Sequence, residues 1–135
     1  MNLGLDRKVA LVTAASRGIG FAVAQTLAAE GARVALVARD STALERAVSQ
    51  IASAGGEAVP IQGDVSRPPD VQRIVAETRS RLGDPAVLVA NAGGPRAGLP
   101  TGLLEEDWAD GFQLTLMSAV RLAQSSTPQL RGARL

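Results

Sequence analysis

Apolar residues fall into short runs, and the segments between runs place them at every third or fourth position. Lys8 to Thr13 reads as a strand buried on both faces, because Val9-Ala-Leu-Val12 shows no polar alternation. A helix is expected from about Gly18 to Glu30, stopped by Gly31. Arg33 to Ala38 is the second strand. Asp40-Ser-Thr then caps a helix with Leu44, Ala47, Val48 and Ile51 at helical spacing, which Gly55-Gly56 breaks. Glu57 to Ile61 is a third strand, and Asp64 to Pro69 leads into a helix with Val71, Ile74 and Val75 on one face. Gly83-Asp-Pro85 ends that helix, and Ala86 to Ala90 is a fourth strand. Asn91 to Gly98 reads as a loop, and Leu104 to about Ser125 as a long last helix.

Fully buried strands alternating with helices predict an α/β fold, a parallel sheet covered on each side. Right-handed crossovers make it doubly wound and Rossmann-like, with strand order 3-2-1-4. Residues 1–135 are expected to form a single domain, with no internal linker, repeat or low-complexity segment. Between the first strand and helix lies Ala14-Ala-Ser-Arg-Gly18-Ile-Gly20. A helix start carries unpaired N–H groups and partial positive charge, so this turn is suited to phosphate. Gly18 and Gly20 remove Cβ atoms where a pyrophosphate approaches and where helix packs on strand, the pattern of a dinucleotide site. Its structural alternative is a tight turn alone.

Composition narrows the chemistry. Net charge is +1 and aromatic content 2%, so neither a basic stripe nor stacking platforms point to nucleic acid. Cysteine and histidine are both absent, which excludes disulfides, thiolate or imidazole metal ligation and a Ser-His-Asp triad within the chain. The N-terminal residues carry charges before any apolar run, and no apolar stretch reaches membrane-spanning length, so a cytoplasmic location is expected.

Thr13-Ala-Ala-Ser-Arg-Gly18-Ile-Gly20, Ala38-Arg39-Asp40, Gly63-Asp64-Val65 and Asn91-Ala-Gly93 together resemble the classical short-chain dehydrogenases/reductases. The overall character is that of the 3-oxoacyl-carrier-protein reductase-like branch, and the resemblance runs from Leu5 to about Leu130. Ala14 replaces the family's first loop glycine, acceptable in a tight turn if φ stays negative. Thr115 stands where the family has an asparagine, seven residues after a tryptophan like Trp108. The family continues into a fifth strand with a catalytic serine, then a Tyr-x-x-x-Lys helix. This chain contains no tyrosine, and its only lysine is Lys8. The segment Gln129 to Leu135 stops where that next strand is expected. The resemblance therefore implies a cofactor-binding portion without catalytic residues, truncated relative to the family.

The resemblance implies cofactor contacts from Ser16, Arg17, Gly18, Ile19 and Gly20, from Arg39, from Asp64 and Val65, and from Asn91, Ala92 and Gly93. An acid at the end of the second strand would bind the adenosine ribose hydroxyls and repel a 2′-phosphate. Here that place is Ala38 with Arg39 beside it, which favours NADP(H); Asp40 is read as a helix cap. Asp64 has two compatible roles, capping the turn at Ser66 and accepting from the adenine amino group. Asn91 likewise combines holding adjacent strands with lining the pocket.

On the last helix, Trp108, Phe112, Thr115, Ala119 and Leu122 share one face, so Thr115 is read as core-facing. Leu114, Met117 and Val120 lie off that stripe and are expected to be exposed in a monomer. With the apolar fourth strand as a sheet edge, self-association into a homo-oligomer is expected. Arg96 and Gln124 to Pro128 read as solvated surface, and Glu105, Glu106 and Asp107 as acids placed at a helix start. The expected function is hydride transfer between nicotinamide and a carbonyl or alcohol, 3-oxoacyl-like substrates being one class, with no turnover from this chain alone. A non-catalytic nucleotide-binding or dimerising module, or a truncated product without function, is the alternative.

Overall fold

In the computed structural model, which describes residues 3–130, the strands are β1 (Val9–Thr13), β2 (Arg33–Ala38), β3 (Glu57–Gln62) and β4 (Val87–Val89). They form one parallel sheet in the order β3-β2-β1-β4. The helices are α1 (Gly18–Ala29), α2 (Ser41–Ser53), α3 (Pro68–Arg81), α4 (Glu105–Phe112) and α5 (Ser118–Leu130), the last two joined by a π-helical segment, Gln113–Met117. Met1, Asn2 and residues 131–135, which include the end of the terminal segment, lie outside the described residues.

Strand side chains alternate between faces, and here both faces are covered. Ala10, Val12, Val34 and Leu36 pack with Ala24 and Ala28 of α1 and Leu44, Ala47 and Ile51 of α2. Val9, Leu11, Ala35, Val37 and Ile61 pack with Val71, Ile74 and Val75 of α3 and Leu122 of α5. The result is three layers with the sheet in the middle. Each fully buried leucine or isoleucine contributes about 1.5–3 kcal/mol of transfer free energy. As expected, Asp40 caps α2, its Oδ1 accepting from Ala43 N at 3.0 Å.

β4 is shorter than the predicted Ala86 to Ala90. Ala86 N donates to Val9 O at 2.8 Å ahead of the strand, while Asn91 N turns back to Val89 O at 3.1 Å and closes it.

The last helix departs most from the sequence reading. Its buried face carries Ser118, Leu122 and Ser126, with Leu114 packed against the core. Thr115 is exposed rather than core-facing, its hydroxyl donating to Gly111 O at 2.7 Å. Trp108 and Phe112, expected on the core stripe, are about half exposed at 57% and 51%. Leu114 is not the exposed residue expected, and Met117 and Val120 are half-buried. Two causes combine. The end of α4 packs on the preceding loop, with Pro95 against Gly111. The π-helical segment then adds a residue to one turn and shifts the face presented to the sheet. Within the expected solvated tail, Ser126 is buried and belongs to α5. Arg96 is 70% exposed as expected, but pairs with Asp107 at 3.0 Å. Asp107 in turn accepts from Leu104 N at 2.9 Å, placing an acid on the α4 start.

Candidate functional site at the carboxyl edge of the sheet

The carboxyl ends of β1, β2 and β4 are tied together by short bonds. Thr13 is fully buried; its hydroxyl donates to Asn91 O at 2.5 Å and accepts from Asn91 N at 2.9 Å. Ala15 N donates to Val37 O at 3.0 Å, and Asn91 Nδ2 reaches Ala14 O at 3.4 Å. Asn91 thus holds strands together, the structural role expected of it.

Ala14 takes φ +49°, contrary to the negative φ expected. The chain must reverse here while Ala14 O faces both Asn91 Nδ2 and Gly20. An L-residue in this region costs about 1–2 kcal/mol, which the surrounding bonds offset. A Cβ on Gly20 would lie 2.2 Å from Ala14 O, so glycine is required there for α1 to pack on the turn. Gly18 has φ +59° and open space where a Cβ would stand. Arg17, the residue preceding α1, provides no side-chain acceptor to the helix N–H groups. The first-turn donors therefore have no side-chain cap from Arg17, the condition under which a helix start can take an anion.

Beyond β3 the backbone is similarly fixed. Gly63 N donates to Ala38 O at 3.0 Å, and Asp64 N to Asp70 Oδ2 at 2.8 Å. Asp64 Oδ1 accepts from Ser66 N at 2.9 Å and Ser66 Oγ at 2.6 Å, the turn-capping role expected of it, leaving Oδ2 as the oxygen available to a ligand. Partial burial works to raise the Asp64 carboxyl, but the Ser66 bonds, with Arg39 and Arg67 nearby, outweigh it and hold the carboxyl below the ordinary aspartate range. The folded state therefore favours the carboxylate, and this stabilisation is present at neutral pH and lost as pH falls through the folded pKa. Asp64→Asn is expected to flatten the acid limb of a stability–pH curve below about pH 4. Equal acid limbs for the two proteins in urea titrations would contradict this.

A cavity of about 440 Å³ opens above these strand ends. Ser16, Arg17, Gly18, Ile19, Arg39, Asp64, Val65, Asn91, Ala92 and Gly93 all line it. Of the residues expected to contact a cofactor, Gly20 alone does not line the cavity and acts beneath it by packing. Val37, Ala38, Asp40, Ala43, Gly63 and Leu114 also line it. Leu114 arrives through the shifted face of the last helix and left no signal in the apolar spacing. Ile19 is 80% exposed, an apolar surface at the cavity mouth. Arg39 is exposed and, among the described residues, makes no ion pair; it also lines a neighbouring cavity of about 480 Å³ with Gln62 and Arg73. Lys8, the only lysine, precedes β1 at the opposite end of the sheet.

The arrangement offers helix N–H groups for a pyrophosphate, a carboxylate for an amino group and an arginine for a further phosphate. No helix among the described residues is long and apolar enough to cross a membrane.

Comparison with known proteins agrees with this geometry. The chain is 35% identical over 123 residues to the 3-oxoacyl-[acyl-carrier-protein] reductase FabG of Escherichia coli, covering 91% of this chain and 49% of that protein. The L-sorbose reductase of Gluconobacter frateurii, solved with NADPH and L-sorbose, superposes with a TM-score of 0.92 at 36% identity, over 97% of this chain and 50% of the other. A short chain dehydrogenase of Burkholderia cenocepacia in complex with NADP gives 0.88 at 34% identity, over 93% and 52%. The chain thus spans about half the length of the relatives it matches. Residues 8–134 match the short chain dehydrogenase family, and with the β3-β2-β1-β4 sheet and its carboxyl-edge cavity this places the chain in that family of oxidoreductases.

Proposed function

We propose that this chain forms one Rossmann-type unit that binds NADP(H) for an oxidoreductase acting on a carbonyl or alcohol. The observation that carries the reading is the convergence of Ser16 to Ile19, Arg39, Asp64 to Val65 and Asn91 to Gly93 on one cavity. The first turn of α1 receives the pyrophosphate, Asp64 Oδ2 accepts from the adenine amino group while Val65 packs on the ring, and Arg39 takes the 2′-phosphate. Gly93 leaves room for a ribose. Support for the cofactor comes from the solved relatives that hold NADPH and NADP. The bound nicotinamide supplies hydride chemistry; this chain's residues bind and orient it. Similarity to the 3-oxoacyl reductase favours 3-oxoacyl thioesters as the substrate class.

The absence of tyrosine, and of any lysine near the cavity, favours a second reading in which these 135 residues bind the dinucleotide without turning it over. One titration followed by one assay separates the readings. Calorimetry is expected to show NADPH binding at about micromolar Kd, near 8 kcal/mol. NADPH oxidation with a 3-oxoacyl thioester is expected not to rise above a protein-free control. Absence of binding would overturn both readings, and measurable turnover would overturn the second.

We further propose a cytoplasmic location and self-association into a homo-oligomer. Leu104, Trp108, Phe112 and Leu116, spaced by four residues, are 50–59% exposed and form the apolar face available to a second copy.

A further inference from the structure

β3 is an edge strand, and such an edge presents unpaired backbone groups to any extended chain that lies beside it. Gly63 N donates inward to Ala38 O of β2, and backbone direction alternates along a strand. Ala58, Pro60 and Gln62 therefore turn their backbone groups outward. Pro60 has no N–H to offer. Its carbonyl accepts from Arg81 Nη1 at 2.5 Å, and the carbonyl of Gln62 accepts from Arg73 Nη2 at 2.6 Å.

Both arginines come from α3, which runs back along the strand. Arg73, near its start, meets the end of β3, and Arg81, at its end, meets the middle. Glu77 lies between them, one carboxylate oxygen 3.3 Å from each guanidinium, and Asp70 stands 3.9 Å from Arg73. Each guanidinium is thus held by a carboxylate while it occupies an edge carbonyl. Of the three outward residues, two have their carbonyls taken and the central one lacks its donor.

We propose that Pro60 and the Arg73–Glu77–Arg81 ladder form a guard that closes the β3 edge to strand addition by a second copy of this chain. An incoming strand must displace two guanidinium groups that are bonded at both ends, and it still finds no donor at Pro60. The opposite edge strand, Val87-Leu88-Val89, contains no proline. The guard therefore gives the sheet one closed side.

The test uses the full chain, labelled with nitrogen-15, and follows amide exchange at Ala58 and Gln62 by NMR over a range of protein concentrations. The opened variant is Pro60→Thr/Arg73→Met/Arg81→Met, in which methionine keeps the apolar stems and removes the donors. Exchange at both amides is expected to slow severalfold in this variant as concentration rises, and to be independent of concentration in the parent. A charge-matched control, Arg46→Met/Arg79→Met, is expected to behave as the parent. Association through any other surface leaves these two amides unchanged, so the readout is specific to β3. If the triple variant loses its far-UV circular dichroism, Arg73→Met/Arg81→Met is read in the same way. Concentration-independent exchange in the opened variant would overturn the proposal. So would concentration-dependent protection in the parent or in the control.

Discussion

Replacing Arg39 with alanine is expected to weaken NADPH binding by about 1.5–3 kcal/mol, the range for a hydrogen bond to a charged group. In affinity that is roughly ten- to 150-fold. NADH, which lacks the 2′-phosphate, should bind the variant almost as it binds the parent. The reasoning rests on position and on what Arg39 is not doing. It follows β2 directly, lines the cavity, and is not drawn into an ion pair among the described residues. The nearby arginine of α3 is differently placed: Arg73 is held by Gln62 O, Asp70 and Glu77. Ala38 at the strand end presents no acid to repel the phosphate. Paired calorimetric titrations with the two dinucleotides give the answer. Equal losses for NADPH and NADH would remove Arg39 from the 2′-phosphate and leave it a general contributor to the cavity's field.

What the sequence made legible divides along physical lines. Strands buried on both faces are unbroken apolar runs, so β2 was readable residue by residue and β1 to within one residue, and their parallel order followed from the crossovers. The residues around the cavity were found largely through the family resemblance, with the glycine turn and the strand ends as the signal in the residues themselves. Small residues and isolated polar groups just past strand ends have few roles besides turning the chain and meeting a ligand. The last helix was not readable in the same way. Trp108 and Phe112 are large and apolar, yet they stay half exposed, while Ser118 and Ser126 take buried positions. Apolar spacing reports which face could be buried, not whether neighbouring structure is there to bury it. A π-helical turn has no hydrophobic signature, so the shift that carries Leu114 into the cavity wall was invisible. Ala14 was misread because φ depends on what its carbonyl must reach, and those partners, Asn91 and Gly20, are set by the tertiary fold. The arginine bonds to the β3 edge were hidden too, since Arg73 and Arg81 look like ordinary solvated helix charges.

Gly20→Ala is expected to be the most damaging single-methyl change at the site. The added Cβ would stand 2.2 Å from Ala14 O, 2.9 Å from Ala14 C and 2.9 Å from Asn91 Nδ2, two of these being backbone atoms. Overpacking of this kind costs about 1–3 kcal/mol and rises further where neighbours cannot move. Here they are poorly able to. Ala14 is already at φ +49°, and Asn91 is fastened to Thr13 by two short bonds. Relief would have to come from lifting the α1 start off the β1 turn, which displaces the N–H groups proposed to hold the pyrophosphate. Stability and dinucleotide affinity should therefore fall together. Gly18→Ala provides the contrast, because nothing lies within 4 Å of its added Cβ and only the φ of +59° opposes it. That strain is worth about 1–2 kcal/mol. Urea midpoints and NADPH titrations on both variants decide the matter. If Gly20→Ala unfolds at the same midpoint as Gly18→Ala and binds as tightly, the close packing of α1 beneath Ala14 does not govern the site.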